Sequence, residues 1–332
     1  MTPRHSCAAG PDGLRYSHLR QLLVLPDLGP RLTQLTEQLV DLVASGRYCP
    51  SLSDVCVTAI PKPGGGVRPI GVTSIWRRMP MFIAARTIGA LSPILVGLGQ
   101  LATAPAGPQL FARRAQRCAE AGLCIARLDI RNAYNSLERC RVIEVLDHLI
   151  SDARRHHHDA GSLMALRAAY GSSEEVFWRR RSGPPVIFTN ERGITQGCPA
   201  GVLTFGAVMA DILDRTRRDL EGGGIEAAPL PPKGQPLPAD SAVGYTALHD
   251  DVVFAAADQE LLLLAVQTFK ANLAAAGMEL GIGDGKSFLF IFGLRVARDT
   301  DQMMVRRETE QIQDDIELLR KQRLDQLHSR KL

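Results

Sequence analysis

Residues 243–256 read VGYTALHDDVVFAA. Two apolar runs, Val243–Leu248 and Val252–Ala256, flank His249-Asp250-Asp251, so the stretch predicts a β-hairpin with two acids in its turn. Aspartate is ordinary turn punctuation, and alone the pair marks no more than a hairpin tip. Upstream, Gly122–Asp129 is a short apolar strand that ends on an acid. If that strand lies beside the hairpin, three carboxylates meet and repel one another. A divalent cation relieves such crowding. Hard oxygen ligands suit Mg²⁺, which one or two carboxylates hold together with substrate phosphates, and a pair of such ions supports in-line phosphoryl transfer. A hairpin cannot join a purely parallel sheet, so the pattern points to an α+β fold with a mixed or antiparallel sheet and helices on one face.

Outward from this centre, Asp258 caps a helix whose Leu262, Val266, Phe269 and Leu273 share a face. Residues 200–220 form a long apolar helix ending in Arg215, Arg217 and Arg218. Between that helix and the hairpin, residues 221–240 are rich in Gly and Pro and read as a surface insertion or linker. Asn135–Glu138 is a capping-box-like start to a helix reaching about Ile150. Residues 162–170 are helical, and residues 186–189 and 286–293 are strand-like. Toward the N-terminus, helical spacing covers 14–25 and 31–46. Strands at 55–60 and 67–72 then flank the turn Pro61–Gly66, and a helix follows over 75–91. Residues 299–329 are highly charged and read as a solvated amphipathic helix.

The chain has 332 residues, of which 45% are apolar and 22% charged, which excludes wholesale disorder. A net charge of +4 permits a polyanionic partner without demanding one. The seven cysteines (Cys7, Cys49, Cys56, Cys118, Cys124, Cys140 and Cys198) form no C-x-x-C pair, which argues against a disulfide framework or a zinc ribbon and for a reducing compartment. The first residues lack the apolar run of a signal peptide. Thr87–Ala112 carries no charge, but Pro93, Pro105 and Pro108 break it, so it reads as a buried helix and a loop, with no membrane span.

The residues from Asp129 to Ser136 (DIRNAYNS), followed far downstream by Asp250-Asp251, resemble the palm of a reverse transcriptase. Other segments match in the same order: Gly10–Gly13, Ile60–Ile70 (IPKPGGGVRPI), Gly193–Gly201 (GITQGCPAG), and Gly277–Leu280 with Lys286-Ser287. Together they span about residues 10–290. The wording is closest to site-specific non-LTR (LINE-type) retrotransposons. The resemblance implies a right-hand polymerase fold with palm and fingers, the antiparallel palm sheet backed by helices and the thumb largely missing. It divides the chain into an N-terminal segment with fingers (1–121), a first part of the palm (122–150) and a second part of the fingers (151–192). The second part of the palm (193–296) and a charged C-terminal helix (297–332) complete it.

It also implies RNA-directed DNA polymerisation from an RNA template, a DNA primer and dNTPs. Asp129, Asp250 and Asp251 would hold two Mg²⁺ ions. Arg68 would bind the triphosphate with Lys62 secondary, because a guanidinium forks onto phosphate oxygens while lysine is a point charge. Ile130 and Tyr134 would lie beside the nucleotide, the tyrosine ring blocking a ribose 2′-hydroxyl, which argues against an RNA-templated RNA polymerase. Gln196 and Gly197 would support the template base at the start of the long helix. Lys286 would act as general acid on the leaving pyrophosphate.

Each residue also has a plainer reading: a basic hairpin, a core tyrosine, a capped helix start, a surface lysine. His156-His157-His158 lacks partner spacing and reads as a solvated helix end. Arg179-Arg180-Arg181, after Phe177-Trp178, is either a nucleic-acid contact or a basic loop. There are departures too. Leu248 stands where the family has an aromatic residue. About 40 residues follow Lys286, too few for a full thumb, with no zinc knuckle, RNase H or endonuclease. The expectation is therefore a truncated element, nuclear or cytoplasmic. The alternative is a catalytically impaired remnant that only binds nucleic acid.

Overall fold

The computed structural model describes residues 8–49, 52, 54–62, 66–88, 91–178, 183–281 and 287–290. In chain order the elements begin α1 (Tyr16–Leu23), α2 (Leu28–Ala44), β1 (Val55–Pro61), β2 (Val67–Thr73), α3 (Ile75–Ile88), α4 (Ser92–Gly97) and α5 (Gly107–Glu120). Then come β3 (Cys124–Arg131), α6 (Ala133–Ser136), α7 (Arg139–Arg155), α8 (Gly161–Gly171), β4 (Glu174–Trp178), β5 (Val186–Asn190) and α9 (Gly201–Gly222). The last are β6 (Glu226–Pro229), β7 (Ala242–Leu248), β8 (Asp251–Ala256), α10 (Gln259–Ala275), β9 (Glu279–Leu280) and β10 (Phe288–Phe290). They build two compact units, Met1–Ser92 with Tyr134–Val208 and Pro93–Ala133 with Met209–Leu332. Neither unit is continuous in sequence.

The first unit is organised on a four-stranded sheet of order β2-β1-β4-β5. The expected hairpin is present, with β1 and β2 antiparallel from Val55↔Thr73 to Pro61↔Val67. Strand β4 lies parallel to β1 and antiparallel to β5. It was missed because Glu174-Glu175 disguises its start, and Glu174 is in fact buried. Helices α2, α3, α7 and α8 pack together around Met81, Val142, Leu146, Leu163 and Leu166.

The second unit carries the sheet predicted from residues 243–256, of order β10-β3-β8-β7-β6, with β9 also pairing β3. All pairs are antiparallel except β6–β7. Strand β7 is buried almost throughout, which explains its unbroken apolar run: helices cover both faces. On one face Phe111 and Cys118 of α5 pack with Ile125, Val253 and Ala255. Residues 111, 115 and 118 recur at helical spacing, and Pro108 occupies the first turn, where a missing N–H costs nothing. On the other face Phe254 contacts Phe269 of α10 at a centroid distance of 5.3 Å and Tyr245 at 6.1 Å. Asp258 caps α10 by accepting a hydrogen bond from the Glu260 N–H at 3.1 Å, and Leu262, Val266, Phe269 and Leu273 are all buried, as the spacing required. Each such side chain contributes about 1.5–3 kcal/mol, and Phe269→Ala would cost about 3–5 kcal/mol.

Two expectations are corrected here. Helices cover two faces of this sheet where one was expected, because Val253 and Ala255 alternate with Phe254 and both sets are apolar. Residues 221–240 are only partly a linker. Strand β6 extends the sheet, Leu230 is buried, and Arg117 donates to the carbonyls of Pro231, Pro232 and Gln235. Residues 93–121 cluster with the unit that holds this sheet, α5 packing its apolar face on it. No helix among the described residues is long and apolar enough to cross a membrane. Arg179–Arg181, Lys286 and the charged segment 297–332 lie outside the described residues.

Candidate active site

Strands β3 and β8 run antiparallel from Cys124↔Ala256 to Asp129↔Asp251. The register sets Asp129 directly opposite Asp251, so both side chains stand on one face. The hairpin turn is tighter than the sequence suggested. Leu248 pairs with Asp251, leaving the two-residue loop His249-Asp250. Asp251 is therefore a strand residue and Asp250 the last residue of the turn. His249 has φ +56°. Hairpin loops of two residues need positive φ because it matches the strand twist, and a non-glycine residue there is strained.

Burial, with the negative charges of Asp251 and Asp129, pushes the Asp250 carboxyl above the usual carboxylate range, against a hydrogen bond to backbone that pulls it down. Burial lowers the His249 imidazole despite the two aspartates beside it. Arg127, two residues before Asp129 on the same face, pairs with Asp251 at 3.0 Å. Asp129 is held from behind by Gly281 and by Ser287, the latter within the Lys286-Ser287 match seen in the sequence. Gly281 N–H donates to the Asp129 carbonyl at 2.7 Å, and Ser287 Oγ accepts from the Asp129 N–H at 2.9 Å. A Cβ at Gly281 would stand 2.9 Å from Asp129 Oδ2 and 3.2 Å from the Asp129 carbonyl oxygen, so a side chain there would crowd the Asp129 carboxylate. Ile130 pairs with Leu280 of β9 and is buried.

The donor set fits a hard divalent cation in kind. All the groups are carboxylate oxygens. Burial is the main cause that raises Asp250, and the repulsion from Asp251 and Asp129 that adds to it is what such an ion relieves. Among the described residues, though, no three His, Cys, Asp or Glu side chains converge as a ligand cluster. Lys286 falls outside the described residues.

The other predicted residues belong to the first unit. Arg68 is an exposed residue of β2 opposite Ile60, and Lys62 N–H donates to the Gly66 carbonyl across the turn. Gly71 N–H donates to the Gln196 carbonyl at 2.7 Å. A Cβ on Gly197, whose φ is +114°, would fall 2.4 Å from the Gly71 carbonyl oxygen. Strand β2 and the Gln196-Gly197 loop are thus joined backbone to backbone. The Gln196 Oε1 atom is buried without a hydrogen-bond partner among the described residues, an arrangement that costs free energy unless a ligand donates to it. Tyr134 stacks on Phe205 with centroids 4.3 Å apart and an angle of 15°, and its carbonyl accepts from the Ile194 N–H. Helix α9 begins at Gly201, so Gln196-Gly197 precedes the helix start by several residues and the expected anion site at its N-terminus does not include them.

Sequence reasoning also missed the support beneath this loop. Glu174 is fully buried, bound by Arg77 at 2.9 Å and Arg139 at 2.5 Å, and it accepts from Thr195 Oγ1 at 3.1 Å. Burial raises the Glu174 carboxyl, but the two arginines outweigh it and hold it below its ordinary value. Arg139 donates as well to the carbonyls of Gly193 and Ser172. A glutamate two residues into an extended segment gave no signal of this role.

Strand β3 carrying Asp129 opposite Asp251, with Asp250 in the adjoining hairpin turn, within a mixed α/β chain, is a reverse-transcriptase-like polymerase fold. Comparison with known proteins agrees. No protein-family model matches the chain. In sequence it is related to the retrotransposable element SLACS 132 kDa protein of Trypanosoma brucei gambiense, at 26% identity over 267 residues, which is 80% of this chain and 20% of that protein. The chain thus spans about a fifth of that relative's length. In structure it resembles telomerase from Candida albicans, solved in complex with a TWJ fragment of telomeric RNA. That likeness has a TM-score of 0.51 and 11% identity, over 76% of this chain and 45% of that one. Apo telomerase from Candida tropicalis, truncated from its C-terminal domain, aligns over 84% of this chain and 58% of that one, with 13% identity and a TM-score of 0.48. The fold assignment rests on the former.

Proposed function

We propose that the chain is the RNA-directed DNA polymerase domain of a retrotransposon, a nucleotidyltransferase that adds dNTPs to a DNA primer on an RNA template. The observation that carries this reading is the register pair Asp129↔Asp251, with Asp250 in the adjoining turn. Two Mg²⁺ ions held by Asp129, Asp250 and Asp251 would supply the charge neutralisation that in-line phosphoryl transfer needs. In this reading Arg68, with Lys62, binds the triphosphate. Ile130 and Tyr134 pack against base and sugar, Phe205 keeping the tyrosine ring in place. Gln196 and Gly197 receive the templating side, the unpartnered Gln196 Oε1 taking a donor from the bound nucleic acid. Lys286 supplies the proton to pyrophosphate. A nuclear or cytoplasmic location belongs to the same reading.

The test is primer extension on oligo-rA/oligo-dT with Mg²⁺ and dTTP, beside Asp250→Asn. Extension that the substitution abolishes is expected. A second reading, a remnant that binds nucleic acid without catalysis, is favoured by the Arg127–Asp251 ion pair, which occupies one carboxylate. Salt-sensitive binding of the template-primer without extension would establish that reading instead.

A further inference from the structure

The turn that presents Asp250 is held by a residue far away in sequence. In a two-residue hairpin the backbone of the first loop residue lies outside the ladder, and its polar groups need partners. For His249 one side chain supplies both. Gln100 Oε1 accepts from the His249 N–H at 3.0 Å, and Gln100 Nε2 donates to the His249 carbonyl at 3.1 Å. The second lone pair of Oε1 takes the Ala102 N–H at 3.0 Å. Gln100 is fully buried, so the amide that makes these bonds is itself withdrawn from water.

Its backbone is equally fixed. Beyond the reach of β6, residues 99–101 run along the outer edge of β7. Ala247 N–H donates to the Gly99 carbonyl at 2.8 Å, and Leu101 N–H donates to the Ala247 carbonyl at 2.7 Å. Thr246 Oγ1 adds a bond to the Gly99 carbonyl. Gly99 has φ +88°, and a Cβ there would stand 2.9 Å from the Tyr245 ring, so only glycine lets the strap lie this close.

From this geometry we infer that Gln100 is a positioning residue for Asp250. Its amide clamps the backbone of His249 in a left-handed conformation that the histidine would otherwise leave, and so fixes where the next carboxylate stands. The inference deepens the polymerase reading above and rests on it for its catalytic consequence. It does not rest on it for the clamp itself. A misplacement of about 1 Å at a reacting group costs on the order of a hundredfold in rate.

The experiment uses the full chain and compares Gln100→Leu in the wild-type and His249→Gly backgrounds. Glycine takes positive φ without strain, so the turn no longer needs the clamp in the second background. In the first, the expected kcat for dTTP incorporation falls about 10–100-fold with KM changed by less than about threefold. In the second, the same substitution costs much less. An equal loss in both backgrounds, or no loss in the first, overturns the inference. Amide hydrogen exchange gives a readout independent of activity. The His249 amide is protected in the wild type and loses protection in Gln100→Leu, while the amides of residues 243–246 stay protected. A His249 amide that exchanges freely in the wild type overturns the clamp even if Gln100→Leu fails to fold. If nothing extends a primer, yet His249 protection depends on Gln100, the clamp stands and the polymerase reading is what fails.

Discussion

Glu174 and Asp250 are both carboxylates withdrawn from water, yet they are displaced in opposite directions. Glu174 sits between two buried arginines and is held below its ordinary value. Asp250 sits beside two other carboxylates and is pushed above it. The first arrangement is complete: its charge is compensated by the chain, and its remaining oxygen sites are taken by Thr195 and Asn190. The second is compensated less fully: the Arg127–Asp251 pair is half-exposed, and the Asp250 carboxyl stays raised. A protein stabilises itself with the first kind of site. The second kind costs stability, and it makes sense where an external cation or phosphate-bearing ligand completes the charge.

The largest expected effect separates activity from stability. Asp250→Asn should remove charge stabilisation worth several kcal/mol in the transition state, a loss of at least about a thousandfold in extension rate. The melting temperature should stay the same or rise, because a disfavoured charge is gone. A large fall in melting temperature would show that Asp250 is structural and break the contrast. Next comes Glu174→Ala, which leaves Arg77 and Arg139 buried without a counter-charge. The expected cost is about 3–5 kcal/mol, read from denaturant unfolding. A loss below about 1 kcal/mol, as for an exposed pair, would mean that the buried pair carries no special weight.

The pH dependence sharpens the same comparison. Glu174, depressed in the folded state, adds stability at neutral pH that is lost as pH falls through the ordinary carboxylate range to its lower folded value. Asp250, raised in the folded state, subtracts stability above that raised value, and the penalty fades as pH falls to its unfolded value. The stabilisation from Asp250→Asn should therefore be greatest at neutral pH and vanish below about pH 4. An Asp250→Asn advantage that grows on acidification would reverse the assigned sign. Mg²⁺ gives a smaller handle. At a hundred times its Kd it should stabilise the wild type by about 2.7 kcal/mol, and Asp250→Asn by less. Equal shifts in both would place the ion elsewhere. The smallest effect is Arg127→Gln, which removes a half-exposed pair worth less than about 1 kcal/mol. A tighter apparent Mg²⁺ affinity should accompany it, and a weaker one would show that Arg127 helps to assemble the site.

The hairpin, the strand carrying Asp129 and helix α10 were legible because their burial is periodic, although that strand runs on to Arg131. Val252–Ala256 and the face of Leu262, Val266, Phe269 and Leu273 announce themselves by composition alone. Register is another matter. Nothing in residues 122–129 or 243–256 says that Asp129 faces Asp251 rather than a neighbour, because that depends on how two strands slide before they lock. The supporting residues were illegible for a related reason. Gln100 and Glu174 are single polar residues in otherwise unremarked segments, and only the distant groups they reach, His249 and the pair Arg77 and Arg139, give them a role. Gly197 matters through the Gly71 carbonyl oxygen it nearly touches and Gly281 through its closeness to the Asp129 carboxylate, which no pattern in the sequence encodes.

The threading of the two units has a consequence for the order of events on the ribosome. The first unit is complete in sequence once residue 208 has been made, whereas β3 must wait for β8, whose first residue comes roughly 120 residues later. At typical elongation rates that interval is on the order of 6–25 s. Throughout it, the nascent apolar strand Cys124–Arg131 has neither of its long sheet partners, since β8 and β10 are both downstream. The amphipathic helix α5, made just before β3, packs on it and is already available to shield it. Cotranslational folding of this chain is therefore expected to begin with a finished first unit and an unpaired strand under the cover of α5.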